Sequence, residues 1–255
     1  MKSATFYQGL ALILAFVGGV IALAPASLAT PLFKIAGDRL VVERLQGTLW
    51  NGSAERVVLD GMQLGTLEFQ LSPRRALLGQ LHLTLGVNGP TANGAGNITY
   101  NLLSQSALIQ NLDGVFELSN ISRYQLMGMP FEGTIRVTAK EIRWRQDKGC
   151  LVADGLVTTD ALSAGIRRMT GENADLAGPI FCDKEKLALT LSGRNSMGNG
   201  VIKLNIDPAR NYSLTAIVEP SQLETAKLLQ AIGFTRGLRE ELIFDSYGPL
   251  KGVGL

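Results

Sequence analysis

The sequence has few of the residue types that build most catalytic and metal sites. It contains one histidine, His82, and two cysteines, and aromatic residues make up 6% of its 255 positions. A single histidine excludes nearly every multi-histidine metal site. A serine–histidine–aspartate triad would require His82, yet no Gly-x-Ser-x-Gly nucleophile motif is present. Glycine-rich phosphate loops are also missing. The sequence therefore predicts that the protein is not an enzyme, with no catalytic residue, metal ligand or cofactor.

Charge is nearly missing from the amino-terminal region. Within the first 37 positions only Lys2 and Lys34 are charged, and the rest of the chain carries 22 Lys and Arg against 22 Asp and Glu. A neutral body exerts little long-range attraction on phosphate backbones. The composition therefore predicts no nucleic-acid partner.

The uncharged region contains an apolar run over residues 9–24 that is typical of a membrane-entry segment. A spanning helix needs about 20 apolar residues and a signal-peptide core about 7 to 15, so the length fits both. Pro25 and the small residues after it favour cleavage, whereas apolar character continuing to Phe33 favours a single retained anchor of residues 1–34. The positive-inside tendency places residues 35–255 across the membrane in either case.

The two cysteines form an even pair within this exported region. We predict a disulfide bond between Cys150 and Cys182, because exported compartments are oxidising. Closing a loop of about 30 residues stabilises a fold by roughly 3 to 4 kcal/mol in the chain-entropy relation. The alternative is two separate buried thiols, since free cysteine is a common core residue.

Beyond residue 34 the main signal is alternation of apolar and polar residues, which predicts strands buried on one face. In the stretch 81–87 the odd positions are apolar, so His82 falls on the polar side. The apolar positions change parity between Val137 and Ile142, which predicts a β-bulge. Short glycine-containing connections favour a mainly β, antiparallel domain over residues 35–255. Its sheet closes as a barrel, packs as a sandwich, or stays curled with an exposed apolar trough.

Helical signals are few and short. Three lie near residues 73–78, 119–127 and 160–169. The clearest begins at Ser221, which forms a capping box with Glu224, and ends at Gly233. The sequence thus predicts a few short helices beside the sheet.

Basic residues cluster around Trp144. Arg143 and Arg145 share one face of a predicted strand, and Lys148 follows shortly after. Such cations bind anionic lipid headgroups or an acidic partner, and they also protect outer strands from edge pairing. Arg143, Arg145 and Lys148 are therefore a candidate partner or headgroup contact, with edge protection as the alternative.

Four motifs together resemble protein N of the bacterial type II secretion system, also called general secretion pathway protein N. The first is LQGTLWNGSA at residues 45–54, and the second is LGTLEFQLSP at 64–73 followed by LLGQL at 77–81. Phe69 stands where many family members have tryptophan. The third is Gly149-Cys150 before Ala153-Asp154-Gly155, and the fourth is Gly178-Pro179 before Cys182.

This resemblance implies a single-pass inner-membrane protein of a Gram-negative bacterium, with its bulk in the periplasm and no active site. The implied partners are other type II secretion components. The implied role is to support export of folded proteins across the outer membrane through periplasmic protein contacts. The alternative function is a periplasmic carrier of lipid or lipopolysaccharide, because alternating strands can curl into an apolar trough. A continuous open groove would favour the carrier, and an occluded core would weigh against it.

Overall fold

A computed structural model describes most of the chain beyond residue 39. The described residues are 19, 23–29, 40–59, 62–120, 125–126, 129–130, 133–161, 175–195, 198–231 and 233–249. Most of the predicted anchor, residues 1–34, therefore lies outside the described residues. No helix in the described ranges is long and apolar enough to cross a bilayer.

Strands dominate these ranges, as the alternation predicts. The strands are β1 (Leu40–Val41), β2 (Arg44–Gly47), β3 (Asn51–Leu59), β4 (Met62–Leu71), β5 (Gln80–Asn88), β6 (Ala92–Asn101), β7 (Ser106–Glu117), β8 (Gln125–Leu126), β9 (Met129–Pro130), β10 (Thr134–Arg145), β11 (Gly149–Thr159), β12 (Leu176–Asp183), β13 (Lys186–Asn195), β14 (Gly198–Ile206), β15 (Asn211–Pro220), β16 (Thr235–Arg236) and β17 (Leu242–Pro249). The described helices are α1 (Pro73–Leu77) and α2 (Leu223–Ala231), with 3-10 turns at Ala26–Ala29 and Leu118–Asn120. The prediction of a mainly β chain with few short helices is confirmed. The helical signal near residues 119–127 is wrong at residues 125–126, which form β8, and most of 160–169 lies outside the described residues.

Fifteen strands form one antiparallel sheet in the order β1-β3-β4-β5-β6-β7-β10-β11-β12-β13-β14-β15-β17-β16, with β2 beside β1 on the edge of β3. Strands β8 and β9 pair separately. Each long strand pairs with the next long strand along the chain, so the sheet is a meander. Antiparallel neighbours need only short turns, which explains the glycine-punctuated connections in the sequence.

The strand register divides this sheet into an uncharged face and a face that carries the charged side chains of the long strands. Directly paired residues share a face, and successive residues along a strand alternate between faces. One row across β4–β11 is Leu71, Leu83, Ile98, Ile109, Ile142 and Ala153, and a second across β12–β17 is Ile180, Leu189, Leu204, Leu214 and Ser246. We call this side the apolar face. No paired residue of the described long strands places a charge on it.

The other side, here called the polar face, carries the residues between those rows. The adjacent row across β4–β11 is Gln70, Thr84, Asn97, Gln110, Glu141 and Asp154. His82 pairs with Thr99 on this side, with 2.8 Å between its Nδ1 and the Thr99 Oγ1. The predicted polar placement of His82 is therefore confirmed.

The sheet curls toward its apolar face. Tyr100 of β6, Trp144 of β10 and Pro208 of the β14–β15 turn line one groove. In the strand order β6 and β14 are six spacings apart, which would separate them by about 29 Å in a flat sheet. Because all three residues line one groove, the sheet must bend between these strands. Of the three arrangements left open by the alternation, the described strands form the curled sheet, whose first and last strands do not pair with each other; its apolar face is not an open trough in the centre, where residues are buried.

Glycines on the apolar face lie where the neighbouring strand leaves no room for a Cβ. A Cβ on Gly178 of β12 would overlap the carbonyl oxygen of Thr190 in β13. In β6 and β7, Gly94 and Gly114 face each other directly. Part of the glycine excess therefore reflects close approach between paired strands as well as turns.

The most deeply buried part of the apolar face lies in its centre. The buried cluster there is Ala139, Ile142, Val157, Leu176, Ile180 and Leu191, from β10 to β13. Cys150 and Cys182 form a disulfide bond on the same face, with 5.6 Å between their Cα atoms. The predicted disulfide is confirmed, and the alternative of separate thiols is wrong.

The predicted β-bulge is also present. Strand β10 gains one residue relative to β11 between Ala139 and Glu141, which returns Ile142 to the apolar face. Asn111 of β7 lies opposite this extra residue and has a φ of 51°. At the same point β7 contains one residue more than its other neighbour, β6. The irregularity therefore spans both strands and keeps their apolar residues on one side.

Helix α2 lies against β15 and β17 near one edge of the sheet. It begins at Leu223, two residues after the predicted cap at Ser221, and is followed by Gly233 with a φ of 102°. The rings of Phe234 and Phe244 then lie 5.6 Å apart. This contact holds the chain against β17 as it returns from the helix.

Candidate functional site

His82, the only histidine of the chain, forms a hydrogen bond with Thr99 of the neighbouring strand. Burial and the nearby positive charge of Arg75 lower the pKa of His82. Its ring is held by Thr99 on the polar face. Among the described residues, no group of three or more His, Cys, Asp or Glu is placed to hold a metal ion.

The apolar face is closed in its centre and more open on its flanks. Leu191 in the central cluster is 6% exposed, whereas Leu81 on β5 is 39% exposed and Phe116 on β7 is 42% exposed. The carrier hypothesis requires a groove that is open along its length. Side chains fill the middle of the described face, and this occlusion weighs against a carrier.

Two of the three predicted contact cations are paired with carboxylates. The Arg143 Nη2 lies 2.7 Å from Glu141 Oε1, and the Arg145 Nε lies 2.6 Å from Asp147 Oδ1. Lys148 lies in the turn that joins β10 to β11, where its N–H donates to the Arg145 carbonyl at 3.2 Å. The function predicted for these three residues stays a prediction.

The alternative that these cations protect an edge is wrong. Strand β10 pairs with β7 on one side and with β11 on the other, so it lies inside the sheet. Alternation identifies a strand and its faces, but it carries no information about the neighbours of that strand. The polar face explains the charge instead, because charged side chains remain hydrated there.

A groove of about 240 Å³ lies beside this turn. It is lined by Tyr100, Gln105, Ala107, Trp144, Gln146, Pro208 and Arg210. Gln146 donates its N–H to the Gln105 carbonyl at 3.1 Å, which holds two neighbouring turns together. Sequence reasoning singled out Trp144 and missed Tyr100 and Arg210, because only the curl of the sheet brings them together.

The β14–β15 turn on this groove is braced by its own side chains. The Asp207 carboxylate accepts hydrogen bonds from the Asn211 N–H at 2.8 Å and from its Nδ2 at 3.1 Å. These bonds stabilise the charged carboxylate and lower the pKa of Asp207. The turn is thereby held in a defined position over the end of the sheet.

The outer edge of β17 is only partly covered. Strand β17 pairs with β15 from Leu242 to Pro249, but β16 pairs only with Leu242 and Ile243. In the described part of the chain, residues 244–249 have no partner strand on the outer side. Tyr247 projects from this segment and is 86% exposed. An uncovered edge offers unpaired backbone groups to another strand.

The glycine-rich first hairpin shows why its sequence is restricted. The turn between β2 and β3 begins at Gly47, whose φ of 87° favours glycine. Across the strand pair, Gly52 lies under Phe69, and a Cβ there would come within 2.7 Å of the ring. Gly47 and Gly52 belong to the LQGTLWNGSA stretch and Phe69 to the LGTLEFQLSP stretch, so the two motifs pack together across β2, β3 and β4.

Together these features define a class: an open-sheet β protein with one apolar face, a central disulfide and a partly uncovered strand edge. Residues 38–239 match the family described as type II secretion system (T2SS), protein N. The chain belongs to that family, and the assignment made from the motifs is confirmed. It is thus a protein-transport component of the type II secretion system. No curated protein and no solved structure matches the chain.

Proposed function

We propose that this protein is a non-catalytic, inner-membrane component of the secretion apparatus. The apolar run within residues 1–34 anchors it, and the β domain lies in the periplasm and contacts other secretion components. Three observations support the proposal: the family match, the apolar run of residues 9–24, and the disulfide between Cys150 and Cys182. A disulfide fits an oxidising compartment such as the periplasm.

The observation that carries the proposed contacts is the outer edge of β17. An extended segment of another protein adds to such an edge through main-chain hydrogen bonds. Side chains that alternate beside the edge then select the partner, and Tyr247 is the large exposed side chain at this position. Aromatic side chains are enriched in protein interfaces because they bury a large area with little entropy loss.

In-cell photocrosslinking of the full-length protein tests this interface. Tyr247 is replaced by the photoreactive amino acid benzoylphenylalanine, which keeps an aromatic ring at the position. The matched control carries the same residue at Leu156, which is 48% exposed on the polar face of β11, an interior strand. Crosslinked proteins and lipids are then identified by mass spectrometry.

We expect crosslinks from position 247 to other secretion components and few from position 156. Equal protein crosslinking at both positions would refute the edge as the interface. A specific lipid crosslink without secretion components would favour the carrier instead. Deletion of the gene should leave secreted enzymes in the periplasm, and normal secretion in a strain without a related protein would contradict the role.

A further inference from the structure

Four leucines are strongly exposed at one end of the sheet. Leu77 is 89% and Leu78 is 73% exposed in the connection between β4 and β5, and Leu102 and Leu103 in the β6–β7 turn are 52% and 89% exposed. The N–H of Leu102 donates to the carbonyl of Gly79 at 3.0 Å, so the two connections lie side by side. We call this end, with connections 48–50, 72–79, 102–105 and 146–148, the leucine end.

Two adjacent leucine pairs in short connections are unusual for a surface that faces only water. Turns are normally built from glycine, proline and small polar residues. Burial of a leucine side chain away from water is favourable, so an exposed group of four is a substantial source of binding energy. Clustered exposed apolar residues mark interaction sites, whereas single ones do not.

Two arginines lie in the same connection as the first leucine pair. Arg74 and Arg75 lie on α1 within residues 72–79, and the two leucine-bearing connections contain no carboxylate. The hydrogen bond from Gln146 to Gln105 places the turn that holds Lys148 next to the β6–β7 turn. Asp147 in that turn is paired with Arg145 at 2.6 Å. The leucine end therefore presents exposed leucine side chains next to cations. Such a surface is complementary to an anionic bilayer, where apolar groups insert and cations bind headgroups.

The chain also enters the sheet at this same end. The N–H of Leu49 donates to the carbonyl of Ala24 at 2.8 Å, and Pro25 forms a β-bridge with Thr48. Ala26 is 1% exposed, so the segment is packed against the domain. In the next connection the N–H of Leu71 donates to the carbonyl of Trp50 at 2.7 Å. The apolar run of residues 9–24 thus ends beside the leucine end, without a long linker.

We propose that the leucine end of the sheet rests on the surface of an anionic lipid bilayer. The leucine side chains enter the boundary between headgroups and acyl chains, and Arg74, Arg75 and Lys148 bind lipid phosphates. Tyr100 and Trp144 in the adjacent groove suit the same boundary, since their rings are apolar with one polar group. The sheet then stands on the membrane in a fixed orientation instead of moving freely on a tether.

Depth-dependent fluorescence quenching in vesicles tests this contact with the full-length chain. A bimane label is attached at Leu103→Cys, without reductant so that the native disulfide stays intact. The matched control is Leu238→Cys, because Leu238 is a fully exposed leucine in the turn between β16 and β17 at the opposite end. Both proteins are reconstituted into phosphatidylcholine vesicles with or without an equal part of phosphatidylglycerol, containing lipids spin-labelled at shallow acyl positions.

We expect at least about twofold stronger quenching at position 103 than at position 238, because interfacial segments lie roughly 5 to 10 Å into the headgroup region. Phosphatidylglycerol should strengthen the quenching, and the Arg74→Gln, Arg75→Gln variant should reverse that gain. Equal quenching at both positions would overturn the proposal. Shielding of position 103 from water without lipid quenching would also overturn it, by indicating contact between copies of the chain. The assay does not depend on secretion, so it separates this contact from the proposed function.

Discussion

The centre of the sheet and its amino-terminal strands share one sequence pattern but differ in burial. Leu191 of β13 and Leu81 of β5 both lie on the apolar face, and they are 6% and 39% exposed. Alternation therefore identifies the face of a side chain without determining its depth. Depth depends on the curl of the sheet, which closes around β10–β13 and leaves β5 more open.

This difference separates stability from interaction. The central strands hold the buried cluster and the disulfide, so they should dominate the free energy of unfolding. The amino-terminal strands adjoin the exposed leucine pairs and the entry of the chain. Changes in the two regions should consequently have different effects, and the following variants measure that contrast.

Removal of the disulfide should have the largest effect. The Cys150→Ala, Cys182→Ala variant should lose about 3 to 4 kcal/mol of unfolding free energy, because the bond closes a loop of 32 residues. Urea denaturation in detergent measures the loss. Hydrogen exchange should increase in β10–β13 and stay unchanged in β4–β6. An equal increase in both regions would show that the sheet unfolds as one unit and that the contrast is wrong.

Gly178→Ala should cost about 3 kcal/mol, because the new Cβ overlaps backbone atoms of β13 that cannot move aside without parting two strands. Gly86→Ala in β5 is the matched control, since the nearest atom to its Cβ is 4.0 Å away on Glu68. The control should change stability by less than about 0.5 kcal/mol. Similar urea midpoints for the two variants would mean that β12 and β13 tolerate a wider spacing.

Leucine truncation compares the two regions directly. Leu191→Ala should cost about 2 to 3 kcal/mol, because it leaves a cavity in the buried cluster. Leu81→Ala should cost less than about 1 kcal/mol, because much of that side chain is already exposed. Chemical denaturation of both variants provides the measurement. A larger loss for Leu81→Ala would place the main core in the amino-terminal strands.

A pH effect at His82 should be the smallest. Burial and Arg75 lower its folded-state pKa, so the unfolded chain binds the proton more readily. Neutral His82 therefore contributes to the free energy of unfolding above its ordinary pKa of about 6.5. This contribution is lost as the pH falls through the lower pKa of the folded state. Stability should therefore fall less with acidification in His82→Gln than in the unsubstituted protein. Identical stability–pH profiles for the two proteins would refute this link between His82 protonation and stability. The Arg75→Gln variant should show a smaller loss of stability on acidification than the unsubstituted protein.

Local sequence determined much of the fold. The period of two assigned the strands and both faces, including the side of His82, because side-chain alternation is a local property of extended backbone. The parity change between Val137 and Ile142 predicted the bulge for the same reason. The cysteine count predicted the disulfide, and four short motifs identified the family.

Tertiary structure alone decided how these parts meet. Pairing of β10 on both sides excluded edge protection by Arg143, and the curl placed Tyr100, Trp144 and Arg210 on one groove. It also set the two exposed leucine pairs side by side. Such contacts join residues that are distant in sequence, and they depend on sheet curvature and turn positions. Alternation carries no information about these distances, because each strand has the same local pattern whatever lies next to it.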